Sequence, residues 1–352
     1  MKTVQVNAST KSYNVYIGPG LLDEVGERLR ELLPKAEKIA IISDGNVYPL
    51  YGSRVKDSLR KAGFETVSFV LPAGEQSKCG ASFLALLSFL ACSGLSRTDA
   101  VAALGGGMVG DIAGFTAASY QRGLGYVQLP TSLLAMVDSS VGGKTAIDLP
   151  EGKNLAGAFH QPEAVFCDTD TLSSLPEKVF REGCAEVLKY GVLGDGEIFR
   201  SLSETGLAFD REEIIFRSVS MKRRFVCADE FDKGERRMLN LGHSFGHALE
   251  KLSAFSLSHG ESVAVGMAVV ARAGAKSGFC GEDCPVEIEA ALKKLGLPTN
   301  CSVTLDEAMP YMLSDKKREG NRGNIIVPEK IGLCRIVPMS AGELKEFMQK
   351  GL

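Results

Sequence analysis

Three histidines that lie close together in the chain are the residues best suited to metal chemistry. The protein has only four histidines in 352 residues, and His243, His247 and His259 fall within seventeen residues. Imidazole is the commonest neutral metal ligand, and histidines four residues apart on a helix point to the same side. The spacing therefore predicts a metal site in this part of the chain.

Chemistry alone does not decide which residues complete the set of metal ligands. The three histidines could bind a metal together, or a carboxylate could replace one of them. Glu250 is seven residues from His243, about 10 Å along a helix, so it could share a metal with His247 but hardly with both. Glu186 lies in a separate helical segment. The protease motif H-E-x-x-H is absent, because Ser244 stands at the glutamate position.

A glycine-rich turn suggests a second kind of site. The segment 105–111 reads GGGMVGD between the strand-like AVAAL and a helical segment, which satisfies G-x-G-x-x-G. Glycines let the backbone approach a pyrophosphate, and the N–H groups at a helix start can meet its charge. The acid of the ordinary Rossmann pattern is missing about 20 residues later. Asp44 or Glu75 could bind the ribose instead, although Asp44 is equally typical of a turn in SDGN.

Basic residues form local clusters. The segment 139–145 ends like a phosphate-binding loop, but Asp138 stands where that loop needs its first glycine. The segment therefore predicts only a second glycine turn, which leads into Lys144. Lys153 follows nine residues later. Further clusters lie at Lys189, 222–224, 236–237 and 316–318. Clusters of this kind near predicted metal ligands favour an anionic substrate with a phosphate or carboxylate.

The elements that must position these residues fall into two halves. Strand-like runs such as KIAIISD, TVSFVLP, AVAAL and YVQLP alternate with helical segments up to about residue 175, which predicts an α/β domain with a mostly parallel, Rossmann-like sheet. The rest is mainly helical, apart from the strand-like NIIVPEKIGLCRIVP. We expect domains at 1–177 and 178–352 with the active site in the cleft between them. The segment MLNLGHSFGHALEKL is predicted to be one amphipathic helix.

Composition excludes several classes of function. The net charge is −3, which provides no overall field for nucleic acid or an anionic membrane. No apolar run is long enough to span a bilayer, and the first residues lack the apolar core of a signal peptide. Nine cysteines, an odd number, favour free thiols in a reducing cytoplasm. Cys280 and Cys284 are close, but no second pair completes a zinc-ribbon pattern.

Taken together, these segments closely resemble the 3-dehydroquinate synthase family. The resemblance covers nearly the whole chain and is carried by several long, ordered segments. They are LPAGEQSK, GGGMVGDIAGFTAASYQRG, QLPTSLLAMVDSSVGGKTAIDLPEGKNLAGAFHQP, REGCAEVLKYG, ADEFDKGERRMLNLGHSFGHALE, SHGESVAVGM and SDKKREG. Related sugar-phosphate cyclases share parts of them, and glycerol dehydrogenase-like enzymes do so more remotely.

The resemblance implies an activity. It predicts a lyase that converts 3-deoxy-D-arabino-heptulosonate 7-phosphate to 3-dehydroquinate and phosphate, in the shikimate pathway of aromatic amino-acid and chorismate biosynthesis. The route is transient oxidation by NAD, loss of phosphate, re-reduction and aldol closure, with a divalent metal, zinc or else cobalt. A homodimer is expected by analogy. The alternatives are a metal-dependent NAD oxidoreductase of the glycerol dehydrogenase type and a related sugar-phosphate cyclase.

The resemblance also implies roles for individual residues. It assigns the metal to Glu186, His243 and His259, which selects Glu186 over Glu250 and puts His247 beside the metal or the substrate. It assigns NAD contacts to Asp44, Glu75, Lys78, Gly105, Gly106, Gly107, Met108, Val109, Gly110, Asp111, Thr131, Ser132, Asp138, Lys144, Lys153, Thr171, Leu172, Ser173 and Ser174. It assigns catalysis and substrate binding to Arg122, Lys144, Lys153, Asn154, Lys189, Lys222, Arg236, Asn240, His247 and one of Lys316 or Lys317.

Overall fold

The computed structural model describes residues 1–253, 256–314 and 322–352. The chain divides into two compact units, Met1–Pro176 and Glu177–Leu352. No helix among the described residues is long and apolar enough to cross a membrane.

A seven-stranded sheet forms the centre of the first unit. Its order is β1-β2-β9-β6-β5-β3-β4, and every neighbouring pair except β1 with β2 is parallel. The strands of the unit are β1 (Lys2–Asn7), β2 (Ser12–Gly18), β3 (Lys38–Asp44), β4 (Glu65–Leu71), β5 (Ala100–Gly105), β6 (Gly125–Pro130), β7 (Lys144–Leu149), β8 (Gly152–Phe159) and β9 (Ala164–Asp168). The predicted α/β fold with a mostly parallel sheet is confirmed.

Helices cover both faces of this sheet. They are α1 (Leu21–Leu32), α2 (Ser53–Lys61), α3 (Gly80–Cys92) and α4 (Gly107–Ser119). Side chains alternate along a strand, so Ile39 and Ile41 pack with α1 and α2, whereas Ala40 and Ile42 pack with α3 and α4. Burial on both faces explains the nearly continuous apolar runs of the central strands.

The start of the unit pairs with its end. The first residues form a β1–β2 hairpin, and β2 lies parallel to β9, with Asn14 opposite Ala164. The Asp168 carboxylate, at the end of β9, accepts hydrogen bonds from the backbone N–H groups of Gly20 and Leu22 at 3.0 and 2.9 Å. The beginning of α1 is thereby fixed to the last strand of the sheet.

The second unit is mainly helical, as predicted. Its elements are α5 (Glu177–Leu193), α6 (Gly196–Thr205), α7 (Arg211–Ala228), α8 (His243–Leu252), α9 (His259–Lys276), α10 (Asp283–Lys294), α11 (Leu305–Ser314), β10 (Arg322–Lys330), β11 (Leu333–Ser340) and α12 (Ala341–Gly351). Most residues of α9 are buried on all sides, so this helix is the centre of the unit. The late strand-like segment forms the antiparallel β10–β11 hairpin.

Two local predictions were wrong or incomplete. The segment from Met238 to Leu252 is not one helix, because a 3₁₀ turn (Glu235–Asn240) precedes Gly242, whose φ of 78° is left-handed, and α8 begins only at His243. The turn before Lys144 opens an antiparallel β7–β8 hairpin that the sequence did not reveal. Its glycine content and mixed polarity hide the alternation of a strand.

Candidate metal centre and nucleotide turn

Three predicted metal ligands come together in the second unit. The Nε2 atoms of His243 and His259 lie 3.3 and 3.1 Å from the same oxygen, Oε1 of Glu186. One potential ligand atom from each residue lies within 4.8 Å of the others. The Glu186 side chain is fully buried, and its second oxygen pairs with Lys189 Nζ at 2.5 Å. One carboxylate and two imidazoles form a donor set typical of a catalytic zinc site.

The opposite charges of this cluster shift the pKa values of its members. Burial disfavours the charged form of Glu186, but Lys189 and His243 hold the pKa of that carboxyl well below its usual range. Burial also opposes protonation of His259, yet hydrogen bonds to Glu186 and Glu250 raise its pKa to about 10. A protonated His259 beside this carboxylate in the metal-free chain can exchange its proton for a divalent cation.

Close helix contacts bring these ligands from three helices. A Cβ at Gly266 of α9 would lie 1.9 Å from the carbonyl oxygen of Gly242, just before α8. A Cβ at Gly260 would lie 2.2 Å from the carbonyl oxygen of Glu182 on α5. Glycine at both positions lets α8 and α5 approach the first turns of α9. His259 therefore lies between the helices that carry His243 and Glu186.

Glu250, the carboxylate left open by the spacing, contacts the other side of the His259 ring. Its Oε2 atom lies 3.3 Å from His259 Nδ1, and its side chain is 6% exposed. His247, Glu250 and His259 form a second group whose ligand atoms lie within 4.8 Å of one another. The His247 ring centre is 5.4 Å from that of His243 and 6.1 Å from that of His259. All three clustered histidines thus face one region.

Several predicted substrate residues of this unit are buried cations. Lys189, Lys222 and Arg236 are at most 5% exposed. A buried cation is costly unless anions compensate it. Asn240 is exposed at the end of the 3₁₀ turn. Lys316 and Lys317 lie outside the described residues.

The glycine-rich turn of the first unit has the expected strand–turn–helix geometry. β5 ends at Gly105 and α4 begins at Gly107. A Cβ at Gly107 would lie 3.0 Å from Ser139 Oγ, and one at Gly110 would lie 2.7 Å from Gln128 Oε1. Gly106, at the N-cap position, has no side chain to bond the first N–H groups of α4. Those groups are the donors that a phosphate uses at a helix N-terminus.

The turn lies where the strand order reverses. β3 and β5 are neighbours, and the chain continues from them toward opposite edges of the sheet. Ligands of open α/β sheets bind beyond the carboxyl ends of strands at such a point. Asp44 ends β3, and its carboxylate accepts hydrogen bonds from the N–H groups of Asn46 and Val47 at 2.8 and 3.0 Å. Asp44 thus shapes the turn, as its alternative reading predicted, at the carboxyl edge of the sheet.

Lys78 is the centre of a network that the sequence did not reveal. Its Nζ atom lies 2.6 Å from Asp111 Oδ2 and 3.7 Å from Glu75 Oε1, and it donates to Asn154 Oδ1 at 2.5 Å. Asn154 has a left-handed φ of 57°, and its N–H donates to Asp148 at 2.8 Å. The β7–β8 hairpin, which carries Lys153, is thereby connected to the first turn of α4.

The other predicted nucleotide-binding residues differ in whether their side chains or only their backbones are accessible to a ligand. Val109 and Leu172 are buried in the core, so only their backbones remain for a ligand. The Thr131 N–H donates to the Gly105 carbonyl at 3.0 Å, which connects the ends of β5 and β6. Turns or short helical segments contain Ser132, Asp138 and residues 171–174. Met108 lies in the first turn of α4, and Lys144 begins β7. Arg122 ends a 3₁₀ turn and has a left-handed φ of 70°.

Solved structures show which proteins share this fold. The chain is similar over its full length to 2-deoxy-scyllo-inosose synthase complexed with carbaglucose-6-phosphate, NAD+ and Co2+, with a TM-score of 0.89, 24% identity and full coverage of both chains. It is similar to 2-epi-5-epi-valiolone synthase from Streptomyces hygroscopicus with NAD+ and Zn2+ bound (TM-score 0.87, 25% identity, 97% of each chain). A 1,3-propanediol oxidoreductase shares the fold less closely (TM-score 0.72, 16% identity, 100% and 99% of the chains). The fold is that of sugar-phosphate cyclases and related oxidoreductases.

Sequence comparison identifies the family. Residues 68–182 match the family model of the 3-dehydroquinate synthase N-terminal region, and residues 183–318 match that of the C-terminal region. The 3-dehydroquinate synthase of Caulobacter vibrioides is 43% identical over 346 residues, 94% of each chain. That of Streptococcus mutans is 40% identical over 354 residues, 99% of each chain. The chain belongs to the 3-dehydroquinate synthase family, which confirms the resemblance.

Proposed function

We propose that the protein converts 3-deoxy-D-arabino-heptulosonate 7-phosphate to 3-dehydroquinate and inorganic phosphate. Family membership over both halves of the chain is the observation that carries the proposal. The reaction removes the elements of phosphoric acid and closes a carbocycle without net oxidation. Any hydride removed from the substrate must therefore be returned to it, and NAD is used catalytically.

A divalent metal fits the cluster of Glu186, His243 and His259. The support is chemical, because potential ligand atoms of two imidazoles and one buried carboxylate lie within 4.8 Å of one another. The relatives in solved structures hold Co2+ or Zn2+, and we propose zinc, with cobalt as the alternative. When bound, such an ion supplies a Lewis acid for a substrate oxygen. The three residues would hold it, with Lys189 as the neighbouring cation.

NAD fits the glycine-rich turn. Its support is that β5 runs directly into α4 through glycines, which let the start of the helix pack closely against Ser139 and Gln128, and that the N-cap residue Gly106 gives no side-chain hydrogen bond to the first N–H groups of the helix. When bound, NAD supplies hydride transfer. We propose that the N–H groups at the start of α4 bind its pyrophosphate and that Lys78 neutralises charge beside them. We propose that residues 1–177 form the nucleotide domain and that residues 178–352 bind metal and substrate.

The basic residues hold the substrate. It carries a carboxylate and a phosphate, and buried Lys189, Lys222 and Arg236 offer charge that solvent does not screen. We propose that these cations, with Lys144 and Lys153, fix the two anionic ends and so hold the reacting carbons in register. His247, beside the two histidine ligands, is proposed as a proton donor or acceptor.

Assembly and location stay predictions. All nine cysteines are free, which supports a reducing compartment such as the cytoplasm. A homodimer rests on analogy with the family.

The test is release of inorganic phosphate from the heptulosonate phosphate. Purified protein is stripped with a chelator and assayed with NAD and Zn2+ together, with each alone, and with neither. We expect phosphate release only with both, and no accumulation of NADH at 340 nm. Release without NAD would contradict the proposal.

Three control substrates separate the alternatives. Glycerol tests the oxidoreductase reading, which predicts NADH in proportion to the substrate consumed. Glucose 6-phosphate and a seven-carbon sugar phosphate test the related cyclases, which would release phosphate or close a ring with those substrates. Turnover of a control substrate and not of the heptulosonate phosphate would replace the proposed activity.

A further inference from the structure

His259 forms hydrogen bonds through both of its ring nitrogens, with two different carboxylates. Nε2 lies 3.1 Å from Glu186 Oε1, and Nδ1 lies 3.3 Å from Glu250 Oε2. The two nitrogens face different directions, so Glu250 approaches the edge of the ring that does not face the proposed metal. Glu250 lies on α8 and is buried, which shields this contact from water.

His243 has the same arrangement with a neutral partner. Its Nε2 atom faces Glu186, while its Nδ1 atom lies 3.0 Å from the carbonyl oxygen of Leu241. An acceptor at Nδ1 keeps a proton there and leaves the Nε2 lone pair available to a metal. Both histidines are thus oriented in the same way, but the Nδ1 partner is a carboxylate at His259 and a backbone carbonyl at His243.

We propose that Glu250 is a positioning residue, which holds the His259 ring and its Nδ1–H tautomer so that Nε2 is presented to the metal. A carboxylate at Nδ1 also makes an imidazole a stronger ligand than a carbonyl does. The inference rests on the proposed function, since it takes Glu186, His243 and His259 as the ligands of a divalent ion.

The same residues allow a second arrangement that excludes this one. Glu250 could bind an ion directly with His247 and His259, whose ligand atoms lie within 4.8 Å of one another. His259 Nδ1 cannot donate a proton to Glu250 and bind an ion at the same time. Two ions per chain, or a single ion whose binding is abolished in Glu250→Gln, would therefore make Glu250 a ligand, whereas a single ion that is only bound more weakly makes it a positioning residue.

The experiment measures metal binding by the full-length, metal-free protein. Co2+ is titrated while the visible absorption of the bound ion is followed, and Zn2+ affinity is obtained by competition with a chromophoric chelator. Glu250→Gln keeps the shape of the side chain and removes its charge, and Glu250→Leu also removes the acceptor. Glu287→Gln, at an exposed position of α10, is the matched control.

We expect one ion per chain in the parent protein. Its affinity should fall about 10-fold in Glu250→Gln and about 100-fold in Glu250→Leu, within the range typical of partners of a ligating histidine. The Co2+ absorption bands should shift in Glu250→Gln and stay unchanged in the control. A role confined to folding would leave the bands of the folded variant as they are.

Other outcomes overturn the proposal in distinguishable ways. Unchanged affinity and bands in Glu250→Gln would show that Glu250 does not act on His259. Two ions in the parent and one in Glu250→Gln would make Glu250 a ligand of a second site. A parent protein that binds no ion would instead overturn the proposed function. Circular dichroism of the metal-free proteins checks folding, and if Glu250→Leu is unfolded, Glu250→Gln alone decides.

Discussion

The metal cluster is built from side chains, whereas the nucleotide turn is built from the backbone. In the cluster, buried charged side chains converge from α5, α8 and α9, and glycines allow those helices to approach. In the turn, consecutive glycines join β5 to α4, and the start of α4 presents backbone N–H groups. The first arrangement depends on residues far apart in sequence, and the second on seven consecutive residues. Side-chain substitutions should therefore act differently in the two regions.

The largest effect is expected at Glu186. Glu186→Gln removes the negative charge on which both Nε2 atoms converge. We expect metal affinity to fall by more than about 100-fold, beyond the loss typical of an indirect partner, and phosphate release to stop. Glu177→Gln, exposed on the same helix, is the control for measurement of bound metal by elemental analysis. Full occupancy in Glu186→Gln would remove this carboxylate from the ligand set.

His247 tests whether the cluster separates metal binding from chemistry. His247→Ala should keep bound metal and reduce phosphate release by about 10²- to 10⁴-fold, the range of a lost acid–base group. Metal content and turnover are measured on the same preparation. Loss of metal together with activity would favour the three-histidine site that the spacing alone left open.

Gly107 makes the corresponding test of the backbone site. Gly107→Val puts a branched side chain where even a Cβ lies 3.0 Å from Ser139 Oγ. NAD affinity, measured by calorimetry, should fall by about 100-fold, or about 2.7 kcal/mol, while metal affinity is unchanged. Gly196→Val is the control, because Gly196 also begins a helix but has open space around its Cβ position. Equal NAD affinity in both variants would contradict the role of the turn.

The smallest effect is expected at Lys78, the buried charge of the nucleotide region. Lys78→Met should lower the free energy of unfolding of the NAD-free protein by about 1.5–3 kcal/mol, since Asp111 loses a charged hydrogen-bond partner. Burial opposes its charge, but Asp111 and Glu75 raise the pKa of Lys78. The difference from the parent should thus be complete below about pH 10.4 and shrink as pH rises through the raised pKa.

Urea unfolding at several pH values checks this prediction, with exposed Lys35→Met as the control. Equal stability of the parent and Lys78→Met at pH 7 would show that the Lys78–Asp111 pair adds nothing, and that only the metal region depends on buried charge.

Local patterns were enough to predict β3, β4, β5 and β6, the glycine turn and the helical second half. The nucleotide turn is contiguous, so its spacing alone indicated its geometry. The predicted start of α8 was wrong. The apolar spacing of Met238 and Leu241 is in phase with that of α8, but the left-handed backbone of Gly242 separates these residues from the helix. Propensity can show that glycine is a poor helix former, but the close approach of Gly242 to Val263 and Met267 of α9, which leaves no room for a Cβ, is tertiary.

The partners within each site were beyond sequence reasoning. Glu250 was considered as a ligand, and nothing in its spacing indicated that it would contact Nδ1 of His259, nine residues later, from a neighbouring helix. The contact between Lys78 and Asn154 joins residues 76 positions apart through a hairpin that was not predicted. Such contacts depend on how elements pack, which periodicity does not specify.

The pairing of β2 with β9 has a consequence for the order of folding. β2 is synthesised before β9, and 148 residues separate Gly20 from the Asp168 carboxylate that fixes it. During synthesis at about 5–20 residues per second, the β1–β2 hairpin must wait for many seconds before its neighbour emerges. Its unpaired edge is exposed throughout that interval, so nascent chains should need protection until residue 168 leaves the exit tunnel.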